Sequence, residues 1–356
     1  MKKILLSLLA LVVAAISLTA CTPAKVYKYG IGVVMSVSTK DAVAATETTE
    51  AADGNYGVNV DFVTVVLDKD GKIVSATWDV AQTSNLKFNA SGVHTTDLAT
   101  YVLKTKFEKG EDYNMAKSDC VVGDTICKEW FEQSTFMTDF VVGMDRAAVA
   151  AIELADGYAA DEDILVGTTI HINAFQAALL KAIDSAVEVK NVASYGVASV
   201  IAVTAKDAVA ATETTEAADG NYGVNVDLAL VTLDKDGKIL STFWDVAQAS
   251  NLKFNPSGVH TTDLATYVLK TKFEKGEDYN MAKSDCVVGD TICKEWFQQA
   301  EFISDFVKGM DKAGVAAIEL ADGYAADEDI LVGTTIHINS FQAVVVKAIE
   351  NAEEVK

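Results

Sequence analysis

The chain is short of basic residues, cysteine and proline, and the first two shortages each argue against a class of protein. Only 29 Lys and Arg oppose 51 Asp and Glu, which gives a net charge of −22. Affinity for a phosphate backbone comes from clustered basic side chains, so a nucleic-acid-binding protein is not expected. The same balance argues against docking on anionic lipid through a basic face. Five cysteines in 356 residues are too few for a disulfide scaffold.

Familiar catalytic signatures are missing as well. The sequence contains no GxSxG, Walker loop, HExxH or CxxCH segment. We interpret its four histidines as surface or capping residues, because their spacing does not make a metal site; they are His94, His171, His260 and His337. What the chain has instead is apolar content: 50% of its 356 residues are hydrophobic. That is enough for a packed core, and the length suggests about two domains.

The N-terminus has the pattern of a secretory signal. Two lysines precede a short apolar run, and small residues then lead to Cys21. Leu18-Thr19-Ala20-Cys21 resembles the bacterial lipobox, which implies cleavage before Cys21 and a diacylglyceryl group on its sulfur. Residues 1–20 are therefore predicted to be a lipoprotein signal peptide and 21–25 a lipidated tether, with the folded part on the extracytoplasmic face of a bacterial membrane. The alternative is a short transmembrane anchor, since 4–20 is barely long enough to span a bilayer.

The rest of the chain contains one long repeat. Lys40–Glu47 recurs as Lys206–Glu213, and the same offset holds without a gap to the last residue. Residues 40–190 and 206–356 differ at about 24 positions, which is roughly 84% identity. So long a period indicates a duplicated domain rather than a solenoid. No Pro- or Ser-rich linker separates the copies, and we predict one domain over 26–190 and a second over 191–356.

Within each copy, strands come first and helices later, which is typical of the α+β class. The hydrophobic pattern predicts three strands, over 26–38, 57–67 and 72–80, the last two joined by a hairpin turn at Asp68–Gly71. An extended step is expected at 169–172. Helices are predicted over 124–142 with Asp124 as N-cap, over 145–154, and from a capping box at Asn173–Gln176 through Ala186. We expect each copy to form an antiparallel sheet with packed helices.

Four of the five cysteines lie in two pairs, Cys120 with Cys127 and Cys286 with Cys293. In an exported protein each pair is expected to form a local disulfide, stabilising the fold by about 2 kcal/mol. The alternative is a redox-active dithiol, which usually has closer spacing at a helix N-terminus. Cys21 is left without a pair, which agrees with lipid attachment.

One segment resembles the flavinylation motif of the FMN-binding domain family. Asp163-Ile164-Leu165-Val166-Gly167-Thr168-Thr169 recurs as Asp329 to Thr335. In that family an Asp precedes by six residues a Thr that is esterified to the phosphate of FMN, and a small-residue pair lies just before the Thr. The resemblance implies covalent FMN on Thr169 and Thr335, with Gly167-Thr168 and Gly333-Thr334 as the small pairs. Val166 and Val332 depart from the Ser or Thr usual at that position.

Two further segments, Lys109–Met115 and Lys128–Gln133, are similar to parts of tandem-domain lipoproteins of this family, which carry electrons outside the cell. Within and beside them, six residues are candidates to pack on the isoalloxazine ring, with ordinary core residues as the alternative; they are Tyr113, Met115, Trp130, Tyr279, Met281 and Trp296. The resemblance implies two near-identical tandem FMN-binding domains. The chain itself supplies no site for attaching the flavin, so a separate transferase using FAD and Mg²⁺ is expected to modify it.

The sequence therefore predicts a membrane-anchored electron carrier rather than a stand-alone enzyme. It would receive electrons from a membrane NADH or quinone dehydrogenase and pass them to external acceptors. Two rival functions stay open. One is a non-redox surface lipoprotein that binds a ligand or a cell-wall component. The other is a thiol-based redox protein that uses the paired cysteines.

Overall fold

The computed structural model describes residues 26–122, 126–288 and 292–355, apart from the side chains of 119–122 and 285–288. The first half of the chain (26–190) contains, in order, β1 (Tyr27–Lys40), β2 (Gly54–Leu67), β3 (Ile73–Phe88), α1 (Lys106–Lys109), α2 (Met115–Val122), α3 (Trp130–Phe140), α4 (Arg146–Ala150), β4 (Leu154–Ala155), β5 (Tyr158–Ala159), α5 (Glu162–Leu165), α6 (Asn173–Ser185) and β6 (Val187–Val189).

The second half (191–356) repeats this order. It contains β7 (Ser194–Lys206), β8 (Gly220–Leu233), β9 (Ile239–Phe254), α7 (Lys272–Lys275), α8 (Met281–Val288), α9 (Trp296–Phe306), α10 (Lys312–Ala316), β10 (Leu320–Ala321), β11 (Tyr324–Ala325), α11 (Glu328–Leu331), α12 (Asn339–Glu350) and β12 (Glu353–Glu354). A 3-10 turn follows α1 and another follows α7, over Gly110–Tyr113 and Gly276–Tyr279.

Each half contributes an antiparallel sheet of four strands. The strand orders are β3-β2-β1-β6 and β12-β7-β8-β9, with a separate two-stranded hairpin in each half. The predicted α+β class is therefore confirmed. The turn at Asp68–Gly71 is present, since the Gly71 N–H donates to the Asp68 carbonyl at 3.1 Å. β3 is longer than predicted because it continues beyond Val80 as a paired strand to Phe88.

The outer face of each sheet is covered by the helices of its own half. Val63, Val65 and Trp78 pack there against α3 and α6 in one buried cluster. Close approach of α6 to β1 depends on two glycines: a Cβ on Gly30 or Gly32 would come within 2.0 Å of a helix carbonyl oxygen. Any larger residue at these positions would push the helix away from the sheet.

The inner faces of the two sheets pack against each other. Tyr29, Val60 and Phe88 from the first half share one buried cluster with Tyr195 and Val226 from the second. The central strands β2 and β8 are consequently buried on both faces. The molecule is a stack of four layers, helices, sheet, sheet and helices, and its middle is the interface between the two halves.

This interface is made of contacts that occur twice. The Tyr56 hydroxyl donates to the Lys253 carbonyl at 2.5 Å, and that of Tyr222 donates to the Lys87 carbonyl at 2.5 Å. His94 Nδ1 lies 2.5 Å from Asp207 Oδ1, and His260 pairs with Asp41 in the same way. Each contact from the first half to the second is matched by an equivalent contact from the second half to the first. The interface is therefore isologous, as in a two-fold dimer.

The pseudo-two-fold axis passes close to a pair of equivalent phenylalanines. The rings of Phe88 and Phe254 are stacked, with centroids 4.4 Å apart and planes at 1°. Both side chains are fully buried. Tyr29 and Tyr195, which are equivalent residues of β1 and β7, also contact each other across the axis, with ring centroids 5.8 Å apart.

Several predicted helix boundaries are wrong. The helix expected over 124–142 begins only at Trp130, with Glu129 as N-cap in a capping box with Glu132; Asp124 lies outside the described residues. The helix expected over 145–154 ends at Ala150, although Asp145 does cap it.

The capping box expected at Asn173 does not form, because Ile172 is the N-cap of α6 and no side chain caps that end. The Gln176 amide instead donates to the Val149 and Ile152 carbonyls at 2.9 Å each, which ties α6 to α4. Residues 169–172 are an irregular connection, not an extended strand. In the described part of the chain no helix combines the length and apolar character needed to cross a membrane.

Candidate functional site

The main candidate site is a cavity of about 660 Å³ in the first half, between the sheet and the N-terminal end of α6. Strands β1, β2 and β3 form one wall, and α1, α3 and α6 form the others. Four residues singled out from the sequence lie together in its lining: Tyr113, Met115, Trp130 and Thr169. The volume is within the roughly 300–1,000 Å³ typical of small-molecule sites.

The two adjacent threonines of the motif have different environments. Thr168 is 1% exposed, and its hydroxyl donates to Gln133 Oε1 at 3.2 Å. The Thr169 N–H donates to the same oxygen at 2.8 Å, while its side chain is half-buried and lines the cavity. Gln133 is itself fully buried on α3 and therefore fixes the position of this loop. In the second half the Thr335 N–H likewise donates to Gln299 Oε1, at 2.7 Å.

The other motif residues support the loop rather than line the cavity. Gly167 lies against a ring: a Cβ there would come within 2.3 Å of Phe136, and Gly333 stands in the same relation to Phe302. Asp163 is exposed on the short helix α5, whose N-cap is Asp161. Among the described residues that surround the cavity, Asp163, Gly167 and Thr168 are not included. The corresponding Asp329 is likewise exposed.

A lysine and two aromatic rings form one side of the cavity. Lys106 Nζ lies 5.2 Å from the centroid of Trp130 and 5.3 Å from that of Tyr113, both within cation–π range. Burial lowers the pKa of Lys106 from its ordinary value. Trp130 is 2% exposed and packs edge-on against Trp78 at 5.0 Å. The second half repeats the arrangement with Lys272, at 5.2 Å from Trp296 and 5.5 Å from Tyr279.

A buried carboxyl group faces the lysine. Asp61 on β2 is 9% exposed, accepts a hydrogen bond from Trp78 Nε1 at 3.1 Å and lines the cavity. Burial raises the pKa of Asp61 to about 6, against the opposing effects of Trp78 and the Lys106 charge. Its charge therefore changes near neutral pH, so the cavity carries an adjustable negative group beside a positive one.

The end of α6 that borders the cavity is its positive end. Asn173 and Ala174, in the first turn of this 13-residue helix, line the cavity. Because the helix N-cap makes no side-chain hydrogen bond, the helix dipole is not offset there by a capping oxygen. This end suits a negatively charged group near Thr169.

Sequence reasoning missed Asp61, Lys106 and Gln133. Asp61 could have been found, because it lies on the same strand face as Val63 and Val65, where an apolar residue is expected. Lys106 and Gln133 gave no comparable signal. His171, interpreted as a surface residue, is exposed but also lines the cavity, with its ring 4.0 Å from Tyr158.

One difference between the halves adds a hydrogen bond to this carboxyl. Ser340 replaces Ala174, and its hydroxyl donates to Asp227 at 2.8 Å; Asp227 also accepts from Trp244 at 2.9 Å. Burial raises the pKa of Asp227 as well, while the Ser340 and Trp244 hydrogen bonds oppose the shift. The candidate residues Tyr279, Met281 and Trp296 pack in the same hydrophobic cluster as Trp244.

The cysteine pairing stays a prediction. Cys127 and Cys293 are each part of a disulfide bond. The side chains of Cys120 and Cys286, their expected partners, lie outside the described residues, as does Cys21. Within the described ranges no group of three or more His, Cys, Asp or Glu is arranged to hold a metal ion.

Comparison with known proteins does not assign a family. No family model, no curated protein and no solved structure matches the chain.

Proposed function

We propose that the protein is a membrane-anchored, extracytoplasmic electron carrier with FMN attached by phosphoester to Thr169 and to Thr335. The observation that carries the proposal is the meeting of Thr169, Tyr113, Met115 and Trp130 around one cavity. These residues are candidates on sequence grounds alone and are up to 56 residues apart, counted from Tyr113 to Thr169. Their convergence favours a ligand site over four unrelated core positions.

The described residues fit a covalently held flavin in three respects. The cavity is lined by the rings of Trp130 and of the half-buried Tyr113, and an aromatic lining suits a planar ring. Its Thr169 side is close to the positive end of α6, which suits a phosphate. The Thr169 side chain is half-buried and lines the cavity, whereas that of Thr168 is covered.

Attachment requires chemistry that this chain does not supply. The Thr169 hydroxyl would form a bond to the FMN phosphorus of FAD as the phosphoanhydride breaks, AMP leaves and the proton passes to a base. A flavin transferase with bound Mg²⁺ would provide the base and stabilise the leaving group. Gln133 contributes by holding the Thr169 backbone, and with it the acceptor hydroxyl, at the cavity wall.

The bound flavin supplies the redox chemistry, and the chain sets its position and electrostatics. Lys106 favours negative charge in the cavity, and Asp61 opposes it once ionised. In the second half the additional hydrogen bond from Ser340 favours the ionised form of Asp227. We therefore expect the two flavins to have different reduction potentials, with the lower one in the second half.

The expected location of the protein in the cell follows from the predicted lipid on Cys21. The anchor would hold the carrier at the outer face of the membrane, where a membrane NADH or quinone dehydrogenase can donate electrons and external acceptors can receive them. A covalent tether also prevents an exported cofactor from diffusing away. The surplus of 51 acidic over 29 basic residues would tend to hold the folded part off an anionic membrane surface.

Paired threonine substitutions test the proposal. The full chain is expressed with a flavin transferase, and flavin fluorescence is measured on the denatured protein. Thr169→Val and Thr335→Val should each remove about half of the covalent signal, and the double variant should remove all of it. Thr168→Val and Thr334→Val are the matched controls: they delete a neighbouring hydroxyl of the same loops and should keep the full signal.

Other results would favour the rival functions. A wild-type protein without covalent flavin, although the transferase labels a known substrate, would point to a ligand-binding surface lipoprotein. Replacing Cys120, Cys127, Cys286 and Cys293 by Ser should abolish electron transfer only if the thiols are the redox groups. Under our proposal the same replacement lowers stability and leaves the flavin signal intact.

A further inference from the structure

A second cavity lies between the two halves and is unrelated to the threonine motif. Its volume is about 550 Å³, and it is bounded by β3 and α3 of the first half and by β7 and the C-terminal end of the second. Phe62, Trp78 and Tyr195 contribute buried ring faces, while Phe107 is 50% exposed at its open side. Size and aromatic lining agree with a small-molecule site.

The pseudo-symmetric position in the second half has a different side chain. Thr77, which lines the cavity, is replaced by Phe243. The Phe243 ring packs on Phe273 at 5.3 Å, and Phe273 is correspondingly half-buried where its counterpart Phe107 is exposed. At the position of Thr77 the second half therefore already contains a larger residue, whose ring occupies space beside its own sheet.

The charged side chains that line this cavity are all acidic, although the Lys347 ammonium donates to the carbonyl of Ser199, another lining residue, at 2.8 Å. Its described lining includes Asp79, Glu108, Asp139 and Glu353 and no lysine or arginine. Glu108 is paired with Lys347, and Asp79 accepts hydrogen bonds from two backbone N–H groups. Asp139 and Glu353 are exposed and remain as negative charges at the opening. Aromatic faces with carboxylates nearby favour organic cations, through cation–π and direct charge interactions.

We propose that the cavity between the halves binds a small organic cation with an aromatic body, one per chain, on the Thr77 side only. The aromatic part would lie between Phe107 and Tyr195. The cationic part would face Asp139 and Glu353. The proposal does not depend on flavin attachment, because none of these residues belongs to the threonine loop.

Calorimetric titration of the full chain with benzyltrimethylammonium tests it. One equivalent should bind, and benzenesulfonate, which has the same ring but opposite charge, should not. Thr77→Phe, which copies the residue of the second half, should weaken binding at least tenfold. Thr77→Val is the matched control: it also loses the hydroxyl contact to Thr64 at 2.6 Å but keeps the volume, and it should bind as the wild type does.

A double substitution at the opening gives an independent test that leaves the interior unchanged. Asp139→Asn with Glu353→Gln should weaken the cation severalfold while circular dichroism and unfolding temperature stay those of the wild type. Equal binding of the cation and benzenesulfonate, full binding by a folded Thr77→Phe variant, or a stoichiometry of two would each overturn the proposal.

Discussion

The two halves of the chain have the same fold but place a polar cross-strand pair at different positions. In the first half the hydroxyls of Thr64 and Thr77 lie 2.6 Å apart across β2 and β3. In the second half that pair is Leu230 and Phe243. The next pair on the same face of the sheet, Thr232 and Ser241, makes the 2.6 Å contact instead. Each half therefore has one such hydroxyl pair, but the two pairs lie beside different residues.

The neighbours concerned are two equivalent tyrosines at the interface. Tyr195 Oη lies 2.7 Å from Ser75 Oγ. The serine that corresponds to Ser75 is Ser241, which is engaged by Thr232, and the Tyr29 hydroxyl is buried with no hydrogen-bond partner. A few substitutions between near-identical copies therefore change a hydrogen bond across the interface, although every backbone element stays in place.

The largest expected effect tests whether the two halves contribute equally to the stability of the interface, as its symmetric geometry implies. Phe88→Ala and Phe254→Ala should each lower the free energy of unfolding by about 3–5 kcal/mol, because each removes a fully buried ring from the same stack. Urea unfolding measures both. Because the rings contact each other, the double variant should lose less than the sum of the single losses. Strictly additive losses would contradict a shared stack.

The next effect concerns a feature that both halves keep. Burial raises the pKa of Asp79 and of Asp245 to about 6. An unfolded Asp titrates near 3.9, so the folded state binds the proton more tightly and each group favours folding most at low pH. This contribution is fully present below about pH 4 and is lost as the pH rises through about 6, at a cost of up to about 3 kcal/mol for the 3%-exposed Asp245.

Asp245→Asn should therefore flatten the change in unfolding free energy between pH 5 and pH 7.5, and Asp79→Asn should do the same in the first half. Denaturant titrations at several pH values measure the slope. The exposed Asp70→Asn is the control and should leave the slope unchanged. An Asp245→Asn variant with the wild-type slope would show that this carboxyl does not titrate in the range.

The smallest effect is also the sharpest test of the difference between the halves. Tyr195→Phe should cost about 1 kcal/mol, because Ser75 loses its partner. Tyr29→Phe should cost nothing or stabilise slightly, since it removes a buried hydroxyl that has no partner. The two variants are matched in chemistry, burial and symmetry position. Equal losses would contradict the difference that the hydrogen bonds describe.

The sequence predicted local structure better than long-range contacts. Strands β1 to β3 and the turn at Asp68–Gly71 follow from alternation and turn chemistry. The sequence did not predict that α3 begins at Trp130, because Glu129, its N-cap, is a less common capping residue than Asp. The false capping box at Asn173 has a similar cause: Gln176 has the right type and spacing, but its amide binds carbonyls of α4.

The site was predicted in part for the same reason. Thr169 and Trp130 were found by motif and residue type, and both line one cavity. Lys106 was not found, since its importance comes from packing between strand β2 and helix α1. Asp61 was missed although it interrupts the apolar face of β2. The interface between the halves, including the contact of Tyr56 with Lys253, could not be predicted from the sequence. A sequence repeat shows that two copies exist but does not show which of their surfaces are in contact.

We propose one covalent flavin in each half of the chain, and the intact mass of the protein measures this directly. The mature chain, made in a host with a competent flavin transferase, is denatured, desalted and weighed. Two added FMN phosphoryl groups per chain, one lost with Thr169→Val and the other with Thr335→Val, are the predicted result. A wild-type mass with neither group would contradict the account.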